Sequence, residues 1–374
     1  MIEVILSELG SYIYFFLCCI IFMLIYIAGN IYNCIQMCRK NKNPEKQQRE
    51  GISVVITVNN KSWALRENLQ NFMEQEHEAD YEVIVVDECS EDDTHEMLME
   101  LTAKYPNLRT TRISPENKFR NTKKLAINLG MLAAHNDIVI LADINSRPAT
   151  PYWASMIEQT FDEKTVAVVG YANFKETKII DIPKIFRFAH FVERYLLIKN
   201  RIFVIGEGYN MACRKKAYLS TKVFCKNPQS LSGFDHEIIT SLAKLGNIKN
   251  VKETKAEILL DEDVRFDWKE SMAYYYNNKR GWKSVALLQA NYLIILRWAI
   301  YVMAFYLLLL NILPMYNSVI ILLTFVTGIA IMGIELRQLQ QKHLFLSCAI
   351  AQCLGFFYRW YFSVYSIFTY KKWR

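Results

Sequence analysis

The sequence predicts an α/β fold, with a doubly wound and mainly parallel sheet, that is attached to membrane helices. Three observations support this prediction. Apolar runs of strand length alternate with helical stretches in the middle of the chain, a long uncharged segment lies near the N-terminus, and apolar tracts return after Lys283. Parallel strands that are buried on both faces form such runs. We therefore divide the chain into residues 1–45 (anchor and basic linker), 46–283 (α/β domain) and 284–374 (C-terminal membrane region).

The N-terminal segment Ser11–Gly29 carries no charge and is about long enough to cross a bilayer. It lacks a basic leader and a small-residue cleavage site, so we interpret it as an uncleaved anchor. Basic residues follow it between Arg39 and Arg49, whereas Glu3 and Glu8 precede it. By the positive-inside rule, the N-terminus lies outside and the central domain is cytoplasmic. We therefore expect an integral protein of the inner or plasma membrane.

The C-terminal region predicts two further spans, Trp298–Leu313 and Val319–Ile334, joined by a tight turn at Pro314–Asn317. The preceding stretch Val285–Leu296 is expected to lie in the membrane interface and to lead into the first of these spans.

A last apolar tract, Leu344–Tyr370, is interrupted by Arg359 and is crowded with aromatic residues. Because the tail from Lys371 to Arg374 is basic and should stay inside, we expect this tract to be interfacial or re-entrant. A single crossing is the alternative.

The net charge of +7 is modest, and its basic clusters flank the membrane segments and the stretch Arg109–Lys124. Anionic membrane lipids and a phosphate-bearing substrate explain this distribution, and no nucleic-acid-binding motif is present. The nine cysteines include no C-x-x-C pair, so we expect reduced thiols, no disulfides and no structural zinc.

Within the central domain, strands and helices alternate at spacings that are typical of right-handed βαβ units. The predicted strands are Ile52–Thr57, Tyr81–Glu88, Leu108–Ile113 and Asp137–Asp143. The predicted helices are Ser62–Glu76, Asp93–Tyr105, Thr122–His135 and one that begins at Thr150-Pro151 with Thr as N-cap and Pro in the first turn. Between the last strand and the last helix, Arg147-Pro148 is expected to turn the chain.

Polar residues follow the ends of these strands: Thr57, the pair Asp87-Glu88, and Asp143 with Asn145. Ligands of doubly wound sheets collect at the carboxyl ends of the strands, and paired oxygen ligands suit a hard cation. The alternative is that Asp143 and Asn145 only satisfy backbone groups of a turn. No G-x-G-x-x-G or P-loop motif is present, so a bound diphosphate would need a cation and basic side chains instead of a glycine cradle.

An ordered series of motifs resembles the family 2 glycosyltransferases with a GT-A fold, most closely the membrane-anchored bacterial members. The resemblance covers about residues 51–282. The motifs are ISVVITVNN, YEVIVVDECSEDDT, KKLAINLG, ILADINSRP, GEGYNMACRKKAY, GFDHEI and NNKRGW.

The resemblance implies a nucleotide-sugar donor site. Its expected residues are Thr57, Asp87, Lys123, Asn128, Asp143 and Arg280. Asp87 would read the base, Lys123 and Asn128 would lie near ribose and phosphate, and Arg280 would pair with the diphosphate. Asp143 and Asn145 occupy the metal-binding D-x-D position for Mg²⁺ or Mn²⁺. Since Asn145 adds no negative charge, we expect the cation to bind more weakly than to two carboxylates.

The resemblance also implies an acceptor side and a catalytic base. Gly208, Asn210 and Trp282 are the candidate acceptor residues. Asp235 is the candidate base, in a segment where Phe234 replaces an acidic residue of the family pattern. It would take a proton from an acceptor hydroxyl during a single displacement with inversion. Alternatively, Asp235 only caps a helix.

These features favour an inverting, metal-dependent glycosyltransferase that transfers a sugar to a membrane-associated lipid or glycan acceptor at the cytoplasmic face. A processive polysaccharide synthase is one alternative. The imperfect match of this chain to the Q-x-x-R-W motif (Asn277 to Trp282) and its few predicted membrane helices weigh against that alternative. A catalytically silent member that acts as a scaffold is the other. Expected partners are the donor, the acceptor, membrane lipids and other enzymes of envelope-glycan synthesis.

Overall fold

The computed structural model describes residues 10–39, 48–114, 122–175, 178–224 and 233–369. The chain forms two compact units. A helical unit comprises Met1–Lys40, Lys178–Ile185 and Trp282–Tyr361, and a sheet unit comprises Asn41–Thr177, Phe186–Gly281 and Phe362–Arg374.

Helices and strands alternate through the sheet unit, as the sequence predicts. The helices are α1 (Ile13–Cys38), α2 (Ser62–Met73), α3 (Thr94–Lys104), α4 (Thr122–Ala133), α5 (Trp153–Glu158), α6 (Ile182–Lys199), α7 (Lys215–Thr221), α8 (Phe234–Leu242), α9 (Glu262–Phe266), α10 (Trp268–Lys279), α11 (Ser284–Leu309), α12 (Pro314–Gln338) and α13 (Phe345–Thr369). The strands are β1 (Ile52–Val58), β2 (Tyr81–Asp87), β3 (Leu108–Arg112), β4 (Ile138–Asp143), β5 (Ser146–Pro148), β6 (Thr165–Val169), β7 (Ala172–Phe174), β8 (Met211–Arg214), β9 (Asn247–Asn250) and β10 (Ile258–Leu260).

The main sheet has the strand order β3-β2-β1-β4-β8-β6-β9 among the described residues. Strand β1 pairs in parallel with β2 on one side and with β4 on the other, whereas β8 runs antiparallel between β4 and β6. The chain therefore leaves β1 toward β2 and β3 and then returns to its opposite side. Such a topological switch point opens a crevice at the carboxyl ends of the two strands.

Both faces of this sheet are covered, which explains why β1 is apolar at nearly every position. Ile52, Val54 and Ile56 belong to one hydrophobic cluster, and Val55 belongs to another on the opposite face. Successive side chains of a strand point to opposite faces, so two clusters along one strand mean a layer on each side. The predicted α/β fold with a doubly wound, mainly parallel sheet is confirmed.

Two predictions near β4 are wrong. Arg147 and Pro148 do not turn the chain; they belong to β5, which pairs antiparallel with β10 in a small sheet ordered β5-β10-β7. The following helix begins at Trp153, with Tyr152 and not Thr150 at the N-cap position, and the Thr150 hydroxyl accepts a hydrogen bond from the Tyr152 N–H at 3.3 Å in the turn before the helix. The helix from Ser62 likewise ends at Met73, short of the predicted Glu76.

Three helices of the helical unit, α1, α11 and α12, are long and apolar enough to cross a membrane, and α13 is not among the candidates found in the described chain. The first three pack around a buried cluster, whose members are Cys19, Tyr26, Ile300, Ala304 and Ile320. The predicted membrane-anchored architecture is thus confirmed, while the interfacial placement of α13 stays a prediction.

The connection between α11 and α12 differs from its prediction. Pro314 occupies the first turn of α12, where a missing backbone N–H has no cost, so the expected turn at Pro314–Asn317 is helical. The chain reverses just before it, where Asn311 and Leu313 adopt positive φ angles of 54° and 42°. Residues Val285–Leu296 are also continuous with the span that follows, in the single helix α11.

Candidate active site

The strand ends at the switch point lie side by side. Thr57 on β1 pairs with Asp143 on β4, and Val58 pairs with Asp87 on β2. Thr57 and Asp87 are buried. The sheet register therefore brings three of the predicted donor-site residues together at the carboxyl ends of β1, β2 and β4.

Asp143 is held by two neighbours. The Lys123 ammonium of α4 lies 2.9 Å from Asp143 Oδ2, and the Asn145 backbone and side-chain N–H groups donate to Asp143 Oδ1 at 3.0 and 2.8 Å. Burial alone would raise the pKa of Asp143, but Lys123 and the Asn145 hydrogen bonds together bring it below its usual value. The carboxylate is thus kept charged.

Lys123 also lies near a second carboxylate, that of Glu88. Its ammonium lies 4.0 Å from Glu88 Oε1, just beyond the end of β2. Burial raises the pKa of Glu88, and the Lys123 charge opposes that rise. Glu88 appears in the sequence as part of an acidic strand end, but its proximity to Lys123 could not be inferred from spacing.

The candidate metal ligands suit a divalent cation only in part. Asn145 Oδ1 is buried and accepts no hydrogen bond from the described residues, which leaves one oxygen available as a ligand. The described chain contains no cluster of three or more His, Cys, Asp or Glu side chains arranged to hold a metal. Asp143 and Asn145 can therefore supply two ligand oxygens, and a bound cation would need further oxygens from elsewhere, such as phosphate groups.

Asp87 is closely bound by protein groups. Ser90 N–H donates to Asp87 Oδ1 at 2.8 Å, and Arg112 Nε lies 3.2 Å from Asp87 Oδ2. Arg112 also donates to the Ser90 carbonyl at 2.8 Å. These contacts fix the loop that follows β2, and the proposed contact of Asp87 with a base stays a prediction.

Asp235 lies at the start of α8. The Tyr274 hydroxyl of α10 donates to Asp235 Oδ1 at 2.8 Å, and the Asp235 backbone packs directly on Gly206, where a Cβ would lie 2.5 Å from the Asp235 carbonyl oxygen. Burial raises the pKa of Asp235, the Tyr274 hydrogen bond lowers it, and the Glu207 charge raises it further. A carboxyl group with a raised pKa is suited to accept a proton.

Phe234 links the surroundings of Asp143 and Asp235. The Lys123 ammonium lies 5.7 Å from the centre of the Phe234 ring, which is within the range of cation–π attraction. A Cβ on Gly208 would lie 3.0 Å from the same ring. The residue that departs from the acidic family pattern therefore forms the packing contact between α4, the loop at Gly208 and α8.

A buried ion cluster supports the loop that contains Gly206 and Gly208. Glu207 pairs with Arg187 at 3.1 Å and with Arg194 at 2.9 Å, and both arginines lie on α6. Burial would raise the pKa of Glu207, but the two guanidinium groups lower it below its usual value. This cluster was not predicted, although arginines seven residues apart on one helix share a face.

Two predicted ligand-binding residues have structural partners. Asn210 is fully buried: Trp153 Nε1 donates to its Oδ1 at 3.2 Å, and its Nδ2 donates to the Tyr171 and Ala256 carbonyls at 2.8 and 2.9 Å. Asn128 on α4 accepts a hydrogen bond from the Tyr218 hydroxyl at 2.7 Å. Both side chains thus brace neighbouring elements, and their roles toward acceptor and donor stay predictions.

The last two predicted residues lie beyond α10. Arg280 donates to the Ser363 carbonyl at 2.6 Å and to the Ser366 hydroxyl at 3.0 Å, so its guanidinium is engaged by α13 within the sheet unit. Trp282 is buried and belongs to the helical unit. The pairing of Arg280 with a diphosphate and the acceptor role of Trp282 are not tested by these contacts.

The chain has the doubly wound, mainly parallel sheet that is expected of a GT-A-type glycosyltransferase, with Asp143 at its switch point and Asp235 at the start of a following helix. The family model of "Glycosyl transferase family 21" matches residues 18–220, more than half of the chain. The chain belongs to this family. The prediction of a GT-A-type glycosyltransferase is therefore confirmed. The matching model is that of family 21, whereas the motifs resemble family 2.

The chain is also similar to a curated enzyme and to a solved structure. It is 25% identical over 166 residues to a hyaluronan synthase of Pasteurella multocida, a match that covers 44% of this chain and only 17% of that enzyme. A mannosyltransferase from Pyrobaculum calidifontis, solved in complex with GDP-Man and Mn²⁺, superposes with a TM-score of 0.54 at 17% identity, covering 90% of this chain and 98% of the other. The second similarity shows the fold alone.

Proposed function

We propose that this glycosyltransferase transfers a sugar, with inversion and with the help of a divalent cation, from a nucleotide-sugar donor to a membrane-associated lipid or glycan. The observation that carries the proposal is the division between its two carboxylates. Asp143 is kept charged beside Lys123, whereas Asp235 has a raised pKa. Two carboxyl groups whose surroundings move their pKa values apart are suited to different roles in one reaction.

The donor would bind at the switch point, with its diphosphate near Lys123 and Asp143. Thr57 and Asp87 lie at the same edge, and Asn128 and Arg280 complete the proposed donor set. The Pyrobaculum mannosyltransferase, which shares the fold, binds GDP-Man together with Mn²⁺.

A divalent cation, when bound, would neutralise charge on the leaving nucleoside diphosphate. Asp143 and the unpartnered Asn145 Oδ1 would hold it together with diphosphate oxygens. Lys123 adds a fixed positive charge at the same place, since its ammonium already lies 2.9 Å from Asp143. The chain itself therefore contributes to the stabilisation of the leaving group.

Asp235 would act as the base. Its carboxylate would take the proton of an acceptor hydroxyl while the acceptor oxygen forms a bond to the anomeric carbon. The bond between that carbon and the diphosphate oxygen breaks, and its electron pair leaves with the nucleoside diphosphate. Attack from the face opposite the leaving group inverts the anomeric configuration.

The acceptor would approach from the side of Gly208, with Asn210 supporting that loop and Trp282 bordering the path of the acceptor. The basic residues that follow α1 favour a cytoplasmic position for residues 46–283. A chain that carries three candidate membrane spans favours an acceptor that is itself membrane-associated, and envelope-glycan enzymes would supply or extend it.

A processive polysaccharide synthase is the second candidate. The similarity to a hyaluronan synthase favours it, although the match spans 17% of that enzyme. The length of the product made on a short acceptor would separate the candidates, because a single-transfer enzyme adds one sugar and a synthase adds many.

The test uses the full-length protein in nanodiscs. A panel of nucleotide sugars is screened for cation-dependent thermal stabilisation, and turnover of the best binder is measured as release of the nucleoside diphosphate. Asp143→Ala and Asp235→Asn should each remove transfer while the protein stays folded. Asp93→Asn is the control, because Asp93 is an exposed carboxylate that makes no side-chain capping hydrogen bond.

Full activity in both site variants would contradict the proposed roles of Asp143 and Asp235. Tight nucleotide binding by the unaltered protein without any turnover would instead indicate a catalytically silent scaffold protein.

A further inference from the structure

The Tyr274 hydroxyl contacts the carboxylate of the proposed base. We propose that Tyr274 is a positioning residue for Asp235: its hydroxyl holds one carboxylate oxygen in place and keeps the carboxylate available as a base at lower pH. The proposal rests on the proposed function, in which Asp235 takes the proton of the acceptor hydroxyl.

The geometry supports a specific contact. Tyr274 Oη lies 2.8 Å from Asp235 Oδ1, a normal distance for a hydrogen bond from a hydroxyl to a carboxylate. Asn278, one turn further along α10, forms a side-chain hydrogen bond with Tyr274. The hydroxyl is therefore fixed by a partner on its own helix while it donates to a residue on α8.

Gly233 makes the contact sterically feasible. A Cβ at this position would lie 1.2 Å from Tyr274 Oη and 2.5 Å from Asp235 Oδ1. Gly233 has φ −57° and ψ 129°, which any residue can adopt, so backbone conformation does not require glycine here. What glycine provides is the space that the tyrosine hydroxyl occupies.

Several ionisable groups surround Asp235, and they act on its charge in opposite directions. Burial and the Glu207 carboxylate raise its pKa, whereas the Tyr274 hydroxyl and His236 lower it. Tyr209 and Glu237 also lie within electrostatic range of this cluster. Among these groups, Tyr274 is the one on α10, and its side chain donates directly to the carboxylate.

The surroundings of Tyr274 favour its protonated form. Burial and the nearby Asp235 charge raise its pKa well above the usual value for tyrosine. It is therefore a permanent hydrogen-bond donor. A donor that contacts only the charged form of a carboxyl group lowers its pKa, so removal of the hydroxyl should raise the pKa of Asp235.

The test compares Tyr274→Phe with Tyr275→Phe. Tyr275 is the next residue on the same helix, and its ring stacks on His190 with a centroid distance of 3.8 Å, whereas the hydroxyl that donates to Asp235 is that of Tyr274. The titration of Asp235 is followed by infrared spectroscopy, as the carboxyl band that is lost in Asp235→Asn.

Tyr274→Phe should move the midpoint of this band to higher pH by about one unit, since a hydrogen bond to a charged group is worth roughly that much. Tyr275→Phe should leave it unchanged, and Gly233→Ala, which displaces the hydroxyl, should reproduce the shift. An unchanged midpoint in Tyr274→Phe overturns the proposal.

Turnover measurements separate this proposal from the proposed function. If Asp235 is the base, the acidic limb of the pH profile of kcat/KM should move upward in Tyr274→Phe by the same amount as the infrared midpoint. If Asp235→Asn retains full turnover, the assignment of the base is wrong even where the infrared shift is present. If Asp235→Asn is inactive and the limb does not move, Tyr274 has no positioning role.

Discussion

The end of β4 and the start of α8 each present one aspartate, but they are built by different means. Around Asp143 the neighbours are charged or amide groups, with Lys123 and Asn145 both contacting the carboxylate. Around Asp235 they are glycines and a tyrosine, with Gly206 and Gly233 leaving room for close packing. The pKa of the first aspartate is lowered and that of the second is raised.

This difference is consistent with the separate roles proposed for the two aspartates. Fixed opposite charge keeps Asp143 ionised, which suits a residue that holds a cation or a diphosphate partner. Partial burial raises the pKa of Asp235 and makes its carboxylate more basic, which suits a proton acceptor.

The largest expected effect is a split between binding and turnover. Asp235→Asn should lower kcat by about two to four orders of magnitude, because general-base catalysis contributes that much, and should leave nucleotide affinity unchanged. Asp143→Asn should weaken cation-dependent nucleotide binding. Steady-state kinetics together with calorimetric titration of the nucleoside diphosphate would check this, and a loss of nucleotide binding in Asp235→Asn would remove the distinction between the two regions.

The packing around Asp235 can be disturbed without touching its carboxylate. In Gly206→Ala the new Cβ would lie 2.5 Å from a backbone oxygen, which cannot move aside as a side chain can. We expect a loss of about 1–3 kcal/mol in unfolding free energy, the usual cost of overpacking, together with reduced turnover. Gly281→Ala is the matched control, since its Cβ would meet only the Asn278 carbonyl at 3.5 Å, an ordinary contact. Equal stability of the two variants in denaturant titrations would show that the packing of Gly206 against the Asp235 backbone is loose.

The negative charge beside Asp143 can be increased by a substitution at position 145. Asn145→Asp places a second carboxylate beside the first and should tighten Mn²⁺ binding about tenfold, because added ligand charge strengthens sites for hard cations. Electron paramagnetic resonance of free Mn²⁺ during a titration measures this without any turnover. The same affinity in both proteins would mean that residue 145 does not contact the cation.

The smallest effect concerns a carboxylate outside both regions. Burial would raise the pKa of Asp162, but Lys249 at 2.7 Å and the Thr165 hydroxyl at 2.6 Å lower it to about 2. A lowered pKa stabilises the fold above the unfolded-state value, and this contribution is lost as pH falls from about 4 toward 2. Asp162→Asn should therefore cost about 1 kcal/mol or less at pH 7, after allowance for solvent screening, and almost nothing near pH 2. Thermal unfolding at both pH values would show whether the difference persists.

The fold could be predicted largely from the sequence because its central strands have a local signature. Strands β1, β2 and β4 are buried on both faces and appear as apolar runs that end in polar residues. Strand β5 was mistaken for a turn because its pairing partner, Ile258–Leu260, lies more than a hundred residues further along the chain. Local turn preferences cannot reveal such a distant partner.

The sequence could supply candidate residues for the site but not the contacts between them. Asp143, Lys123 and Asp235 were identified from motifs, whereas the pairing of Lys123 with Asp143 and the hydrogen bond from Tyr274 to Asp235 depend on how separate helices pack on the sheet. Asn210 was named from a polar position in a loop motif, and the sequence did not reveal that its amide is buried in the core; its role toward an acceptor stays a prediction.

The space at Gly233 also limits which genetic changes the protein can tolerate. Every glycine codon begins with two guanines, so any single-base change there keeps glycine, creates a stop codon or adds a side chain. Even the smallest added side chain, that of alanine, would overlap the Tyr274 hydroxyl. A single-base missense change at this codon would therefore push the Tyr274 hydroxyl away from its present position beside Asp235.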